Sequence, residues 1–313
     1  MRYPFLTAAF VFFSMLLPMS IMAGNPTANT ERKGPPTGWS TFTRGGAVYQ
    51  FDSDLDEGGS YEVSRFNIQA GMGYTWDPRT SLSLGLGYSA DGYSFSQSER
   101  NGIAGMNPWD TVHSLSLSLP LRYGLSDEWS AFFMPSLRST GESGASFGDT
   151  LTGGVLAGVA YRFGDRLTIG PGLGVISQLE ESASVFPILI INWKITDRLS
   201  LETGRGLAAT LGPGLSLNYR ASQQWKFAVG GRYEKLRFRL DENGKVAGGI
   251  GEDTAIPLFV NCTYSFNPKA TISLVGGVEL EGELQVEDSD GNQIAKESGD
   301  PALFGGITFS LRL

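Results

Sequence analysis

Residues 113–123 read His-Ser-Leu-Ser-Leu-Ser-Leu-Pro-Leu-Arg-Tyr. In an extended chain Leu115, Leu117, Leu119, Leu121 and Tyr123 share one face, and Ser114, Ser116, Ser118, Pro120 and Arg122 share the other. An apolar face on a strand has two uses. In a soluble sandwich it packs on a second sheet, and the opposite face carries charges into water. In a closed barrel it meets lipid, and small polar residues line the concave side. Here the second face is Ser, Ser, Ser and Pro with one Arg, which suits the crowded inside of a closed sheet.

The same period recurs along the chain. Leu82, Leu84, Leu86 and Tyr88 alternate with Ser83, Gly85 and Gly87; Ile256, Leu258, Val260, Cys262 and Tyr264 alternate with Pro257, Phe259, Asn261 and Thr263. Ile307, Phe309, Leu311 and Leu313 alternate with Thr308, Ser310 and Arg312. Longer polar connections near 54–59, 96–108, 139–149, 178–184, 206–211, 240–253 and 285–300 alternate with short turns. The spacing predicts strands at 45–53, 60–75, 81–95, 110–124, 129–138, 150–163, 167–177, 185–195, 199–205, 212–220, 225–239, 254–266, 270–284 and 302–313. The expected fold is all-β, a single antiparallel up-and-down transmembrane barrel of about 14 strands, with both termini on the short-turn, periplasmic side. The 199–220 hairpin is weakly patterned, so twelve strands is the alternative. Asn243-Gly244 and Asp290-Gly291 are tight-hairpin signals inside the two longest loops and predict ribbons reaching beyond the membrane.

The short turns repeat a pattern in which an outward aromatic precedes a tight polar turn and a new strand. Tyr74, Tyr123, Tyr161, Trp193, Tyr219 and Tyr264 open these units, and Trp129 and Trp225 close two of them. Stacked at one end of the sheet, these rings form the girdle expected at a membrane–water boundary. Strand-end core aromatics of a soluble β protein are the alternative.

Composition narrows the function. Gly makes up 42 of 313 residues, well above the ~7% of ordinary proteins, without a collagen period. One Cys excludes a disulfide framework and a multi-cysteine zinc site, and one His leaves little for metal or general-base chemistry. A net charge of -8 argues against nucleic acid as a partner. Residues 1–23 carry one charge, Arg2, then the apolar run Phe5–Leu17, Pro18 and a small residue at Ala23. That is the layout of a cleaved secretory signal peptide, a membrane anchor being the other reading. Residues 24–42 are expected to be a periplasmic lead and 43–313 the barrel, placed in a bacterial outer membrane. After residue 23 no stretch of 18 apolar residues remains, so any crossing must be made by strands.

The pattern as a whole resembles bacterial outer-membrane β-barrel proteins. The last strand, Gly306-Ile-Thr-Phe309-Ser-Leu311-Arg-Leu313, looks like the terminal signal read by the barrel-assembly machinery, with Leu313 where an aromatic is usual. The stretch from Trp193 to Leu313, with its Tyr-turn-Trp units and Asp-Gly loop, looks most like an uncharacterised family of outer-membrane barrels known only as a domain of unknown function. That resemblance implies outer-membrane lipid and the assembly machinery as partners and supplies no catalytic residues.

Enzyme chemistry finds no purchase. A His–Ser pair two residues apart on one strand face would place a hydroxyl beside its base. The residue two after His113 is Leu115, and Ser114 and Ser116 face the other way. Asp288-Ser-Asp290-Gly-Asn292 resembles half of a calcium loop, but position twelve is Gly299 rather than Glu, so a hairpin turn is the better reading and no metal or cofactor is expected. Inward-facing charges are more informative. Arg122, Arg162, Lys194, Arg220, Lys226 and Arg312 lie next to the short-turn ends and predict a basic collar at one mouth. Arg232, Lys235, Arg237 and Arg239 are expected to form a luminal ladder facing Glu279, Glu281 and Glu283. Phe132, Met134, Phe186, Ile188, Ile190, Phe259 and Phe304 also point inward by parity and either occlude the lumen or line an apolar conduit. The expected function is therefore a passive or weakly selective pore for small solutes. The alternatives are a non-conducting structural or partner-binding barrel and a conduit for hydrophobic compounds.

Overall fold

A computed structural model describes residues 37–96, 102–204 and 214–313; the expected signal peptide, most of the lead and the 206–211 loop lie outside these. The strands are β1 (Gly38–Asp54), β2 (Ser60–Asp77), β3 (Thr80–Ser96), β4 (Thr111–Ser118), β5 (Leu121–Gly124), β6 (Trp129–Glu142), β7 (Leu151–Phe163), β8 (Leu167–Gln178) and β9 (Glu181–Lys194). They continue with β10 (Leu199–Thr203), β11 (Gly214–Arg220), β12 (Trp225–Arg232), β13 (Glu234–Arg239), β14 (Ile250–Asn267), β15 (Ala270–Glu287), β16 (Gln293–Gly299) and β17 (Ala302–Arg312). A short helix, α1 (Gly102–Met106), lies between β3 and β4.

Three wall strands are each built from two segments: β4 with β5, β12 with β13, and β16 with β17. The first and last of these interruptions fall at Pro120 and at Pro301, where a missing N–H opens the ladder. The result is a closed antiparallel barrel of 14 wall strands. β17 returns to pair with β1 from Phe42↔Arg312 to Gln50↔Phe304. The weakly patterned hairpin is present as β10 and β11, paired from Leu199↔Tyr219 to Thr203↔Leu215, so twelve strands is excluded. Several boundaries differ from expectation: β6 runs on to Glu142, β14 starts at Ile250 and β15 ends at Glu287, each inside an expected loop. β1 begins at Gly38 rather than 45, because Trp39 pairs with Tyr74 on β2. The connection expected at 178–184 is a two-residue turn between Gln178 and Glu181.

The six short turns gather at one end with the chain's C-terminus, where Thr41 N–H donates to the Leu313 carbonyl at 3.2 Å. In five of them the sequence pattern has a shared cause, a side-chain oxygen that caps two successive N–H groups. Asp77 accepts from Arg79 and Thr80, Ser126 from Glu128 and Trp129, and Thr196 from Arg198 and Leu199. Ser222 serves Gln224 and Trp225, and Asn267 serves Lys269 and Ala270. Exposure follows the predicted parity: Leu115 is 55% exposed, whereas Ser114 and Ser118 are 2% exposed.

Apolar packing is therefore not central. The main cluster sits at the long-loop end, where Tyr61, Val63, Tyr93, Ile103, Trp109, Val112, Phe238, Leu240, Leu284 and Val286 are buried together. Two smaller patches line the inner wall, one of Val48, Phe259, Val275 and Phe304 and one of Met134, Leu156 and Phe186.

Candidate functional site

Six inward phenylalanines have a common arrangement: each stands directly across the ladder from a glycine. Phe132 pairs with Gly158, Phe186 with Gly174, Phe259 with Gly230, Phe304 with Gly277, Phe42 with Gly71 and Phe238 with Gly251. In every case the ring lies over its glycine. A Cβ at Gly158 would meet Phe132 Cε1 at 2.5 Å, one at Gly230 would meet Phe259 Cζ at 2.8 Å, and one at Gly277 would meet Phe304 Cζ at 2.8 Å. The missing side chain lets each ring fold down along the wall instead of standing up into the lumen. Below the long-loop end the bulky inward residues thus lie along the wall, whereas Phe238 joins the cluster that spans that end. Apolar neighbours extend the lining: Phe132, Ile176 and Ile188 pack on Met134, Leu156 and Phe186.

Above these patches a band of charge crosses the barrel. Arg65 on β2 reaches Asp253 on β14 at 3.3 Å and Glu279 on β15 at 3.2 Å. It also donates to Gln50 at 3.1 Å, and the Tyr93 hydroxyl donates to Asp253 at 2.7 Å. Arg65, Asp253 and Glu279 are all under 10% exposed, so the cluster holds because opposite charges meet in a medium that screens them weakly.

This band replaces the expected ladders. Arg232 faces inward and pairs with Glu234 at 2.6 Å. The ladder from Gly231↔Leu258 to Glu234↔Ala255 keeps one register through Tyr233, with no bulge. The odd step from 232 to 235 therefore puts Lys235, Arg237 and Arg239 on the opposite face from Arg232, Leu236 and Phe238. Lys235 and Arg237 pair with Glu252 at 2.8 and 3.0 Å, Arg237 also pairs with Glu287, and Arg239 pairs with Glu180 at 2.5 Å. Glu279 faces inward as expected; it pairs with Arg65 and lies within electrostatic reach of Arg232. Beyond it a bulge at Glu281, with φ of 52°, turns the strand; Glu281 is exposed and Glu283 pairs with Lys296 at 2.8 Å. Arg65, Asp91, Tyr93 and Asp253 were not singled out in the sequence, although Arg65 alternates inward with Val63 and Asn67.

At the short-turn mouth, Arg122, Arg162, Lys194, Arg220, Lys226 and Arg312 occupy inward strand positions near the ends of β5, β7, β9, β11, β12 and β17. Arg44 joins them: it binds Gln69 through Nε at 2.7 Å and lies close enough to Arg312 for the two to repel. Arg122 and Arg162 repel in the same way, and Arg162 donates to the Asp127 carbonyl at 2.5 Å. Glu202 is a buried acid near this level, and Asp77 at the end of β2 lies close enough to Arg122 to attract it. Around the outside of the same end run the aromatic side chains. Trp129 and Tyr161 are 5.0 Å apart between ring centroids, Trp225 and Tyr264 4.9 Å, and Trp39 and Tyr74 5.2 Å. Tyr123, Trp193 and Tyr219 are exposed there too.

A family model described as a domain of unknown function, DUF6268, matches residues 92–313. The chain belongs to that family. No curated protein matches the sequence. Among solved structures, the COG4313 outer membrane channel from Pseudomonas putida F1 is similar over 92% of this chain and 100% of its own, at 12% identity and a TM-score of 0.49. A Pseudomonas aeruginosa FadL homologue is similar over 88% of this chain and 89% of its own, at 12% identity and a TM-score of 0.46. The P. putida toluene transporter TodX is similar over 89% of this chain and 91% of its own, at 10% identity and a TM-score of 0.43.

Within this family member the remaining sequence candidates fall on the wall or in turns. His113 is on the outer face, stacked on Tyr88 with Nδ1 2.9 Å from its hydroxyl. Asp288 spends its carboxylate on its own turn: the Asn292 side chain and the N–H groups of Asn292 and Asp290 hydrogen-bond to it and hold its pKa below the usual range. Among the described residues no group of three or more His, Cys, Asp or Glu gathers to hold a metal.

Proposed function

We propose that the protein is an outer-membrane conduit for small solutes that carry an apolar part, with a bias towards anions. The observation that carries this reading is the pairing of inward rings with glycines, which supplies apolar surface without filling the lumen. Its complement is the basic collar, where seven Lys or Arg side chains outnumber the nearby acids Glu202 and Asp77 and would raise the local anion concentration.

The exterior supports a lipid setting. On β1 the outward positions run from Trp39 to Tyr49, both exposed. Ten residues at ~3.3 Å, tilted by about 40°, give a band roughly 25 Å tall, the height of a barrel's lipid-facing belt. In this reading residues 1–23 direct export, the strand Gly306–Leu313 addresses the assembly machinery, and both chain ends face the periplasm. This reading assigns the chain no catalytic step.

Purified protein in planar bilayers tests the proposal. Step conductances are expected in KCl, with a reversal potential on the anion side in a salt gradient, and proteoliposomes should take up benzoate faster than a hydrophilic anion of similar size. Absence of conductance above background in several salts, from protein that migrates as a folded barrel, would leave a structural or partner-binding role instead.

A further inference from the structure

We propose that the ribbon formed by the upper ends of β13, β14 and β15 is a gate across the long-loop mouth, hinged on its apolar face and latched by the β8–β9 turn; this rests on the conduit reading. The ribbon touches both sides of the barrel. On one face Phe238 stands 5.1 Å from Trp109 and 6.2 Å from Tyr93, ring centroid to centroid, reaching the β3–β4 side. On the other face Arg237 Nε donates to the Leu179 carbonyl at 2.9 Å, and its guanidinium lies 3.6 Å from Glu181. Arg239 pairs with Glu180, donates to the Asp149 carbonyl at 3.3 Å, and bridges to Gly141 of β6. The Asp241 N–H donates to Glu142 at 3.0 Å.

These two attachments differ in strength. Phe238, Leu284 and Val286 are 0% exposed, so parting the hinge would wet a full apolar cluster. The latch faces water: the Glu180 and Glu181 side chains are 41% and 43% exposed, and such pairs contribute little and are screened by salt. Arg237 would lose Glu181 but keep two charge partners on release, because Glu252 and Glu287 belong to the ribbon itself. The turn is also under backbone strain, since Glu180 holds a left-handed φ of 51° without being glycine. Opening is therefore easiest at the β8–β9 turn, with the ribbon swinging as a unit on its hinge, and more frequent at high ionic strength.

Single-channel recording of the full chain tests this. Glu180→Lys/Glu181→Lys should open roughly three- to tenfold more often than the parent at low salt, and adding Arg239→Glu should recover closure. A second variant guards against misfolding of the first: Glu180→Cys/Gly291→Cys in a Cys262→Ala background. A Cβ at Gly291 would lie 3.3 Å from that of residue 180, close to the ~3.8 Å of a disulfide. Oxidation should hold this protein shut and reduction release it. If parent, reversed-charge and oxidised proteins all conduct alike, the gate is overturned while the conduit stands. If none of them conducts in any state, the conduit reading falls and takes the gate with it.

Discussion

Replacing Gly174 with alanine isolates the wall-lining arrangement. The new Cβ would lie 2.5 Å from Phe186 Cε2 and 2.8 Å from Leu156 Cδ2, about 1 Å inside ordinary carbon contact. The three nearest atoms all belong to side-chain ends of Phe186 and Leu156 rather than to backbone, so the strands need not shift. The Phe186 ring has to leave, and since χ1 moves between staggered wells it goes by a jump that lifts it off the wall. The overpacking should cost about 1–3 kcal/mol, too little to abolish folding. Fourteen strands ~4.8 Å apart and tilted by about 40° give a backbone radius of roughly 14 Å, so one upright ring should lower single-channel conductance by at least about a tenth. Gly174→Ala/Phe186→Ala should recover the lost conductance. Gly276→Ala is the control, because a Cβ there meets only the Phe304 carbonyl at 3.5 Å. Folded Gly174→Ala protein conducting like the parent, or a double variant conducting no better than the single one, would refute the claim that glycine keeps the ring down.

Three further outcomes follow from the same structure. Leu137 is 56% exposed on the outer wall, so Leu137→Lys should cost about 2–4 kcal/mol of bilayer stability in urea titrations, against almost nothing if that face met water. Arg65→Met strands Asp253 and Glu279 and should cost about 3–5 kcal/mol, with most of the loss recovered when Asp253→Asn and Glu279→Gln are added. Arg122→Gln/Arg162→Gln/Lys194→Gln should move the reversal potential in a KCl gradient towards cations without lowering stability, because removing repelling neighbours offsets lost hydrogen bonds; an unchanged potential would remove the collar from the permeation path.

The sequence carried the barrel well because each wall strand needs only its own alternation to be recognised. Leu115 to Tyr123 is readable without knowing what Leu115 touches, since lipid has no sequence. The turn units were readable for a similar reason: Asp77, Ser126, Thr196, Ser222 and Asn267 cap groups two and three residues away. Legibility ended where a partner lies far along the chain or where parity is interrupted. Arg65 is visible as an inward base, yet its partners are 188 and 214 residues away, and nothing local points to them. The ladders failed on single-residue steps. An expected change of face between Arg232 and Lys235 does not occur, and an unexpected one does occur at Glu281, where a glutamate takes a conformation that glycine usually marks.

The glycine excess has a physical explanation that composition alone could not supply. A small barrel carrying inward Phe faces a choice between rings that meet at the axis and rings that lie flat. Lying flat requires the facing cross-strand position to be empty, and only glycine empties it. Six inward Phe residues stand opposite six glycines, a match that neither lipid contact nor turn formation would produce. Aliphatic side chains make the same demand less strictly: Val48 stands opposite Gly306 and Ile176 opposite Gly154. The pairing should then be visible across the family as linked change. Members with a small residue at the position of Phe186 should be free to carry alanine or larger at that of Gly174, whereas members keeping the ring should keep the glycine. Independent variation at those two positions would mean that the rings find room some other way, and the flat wall would lose its role in leaving a path for solute.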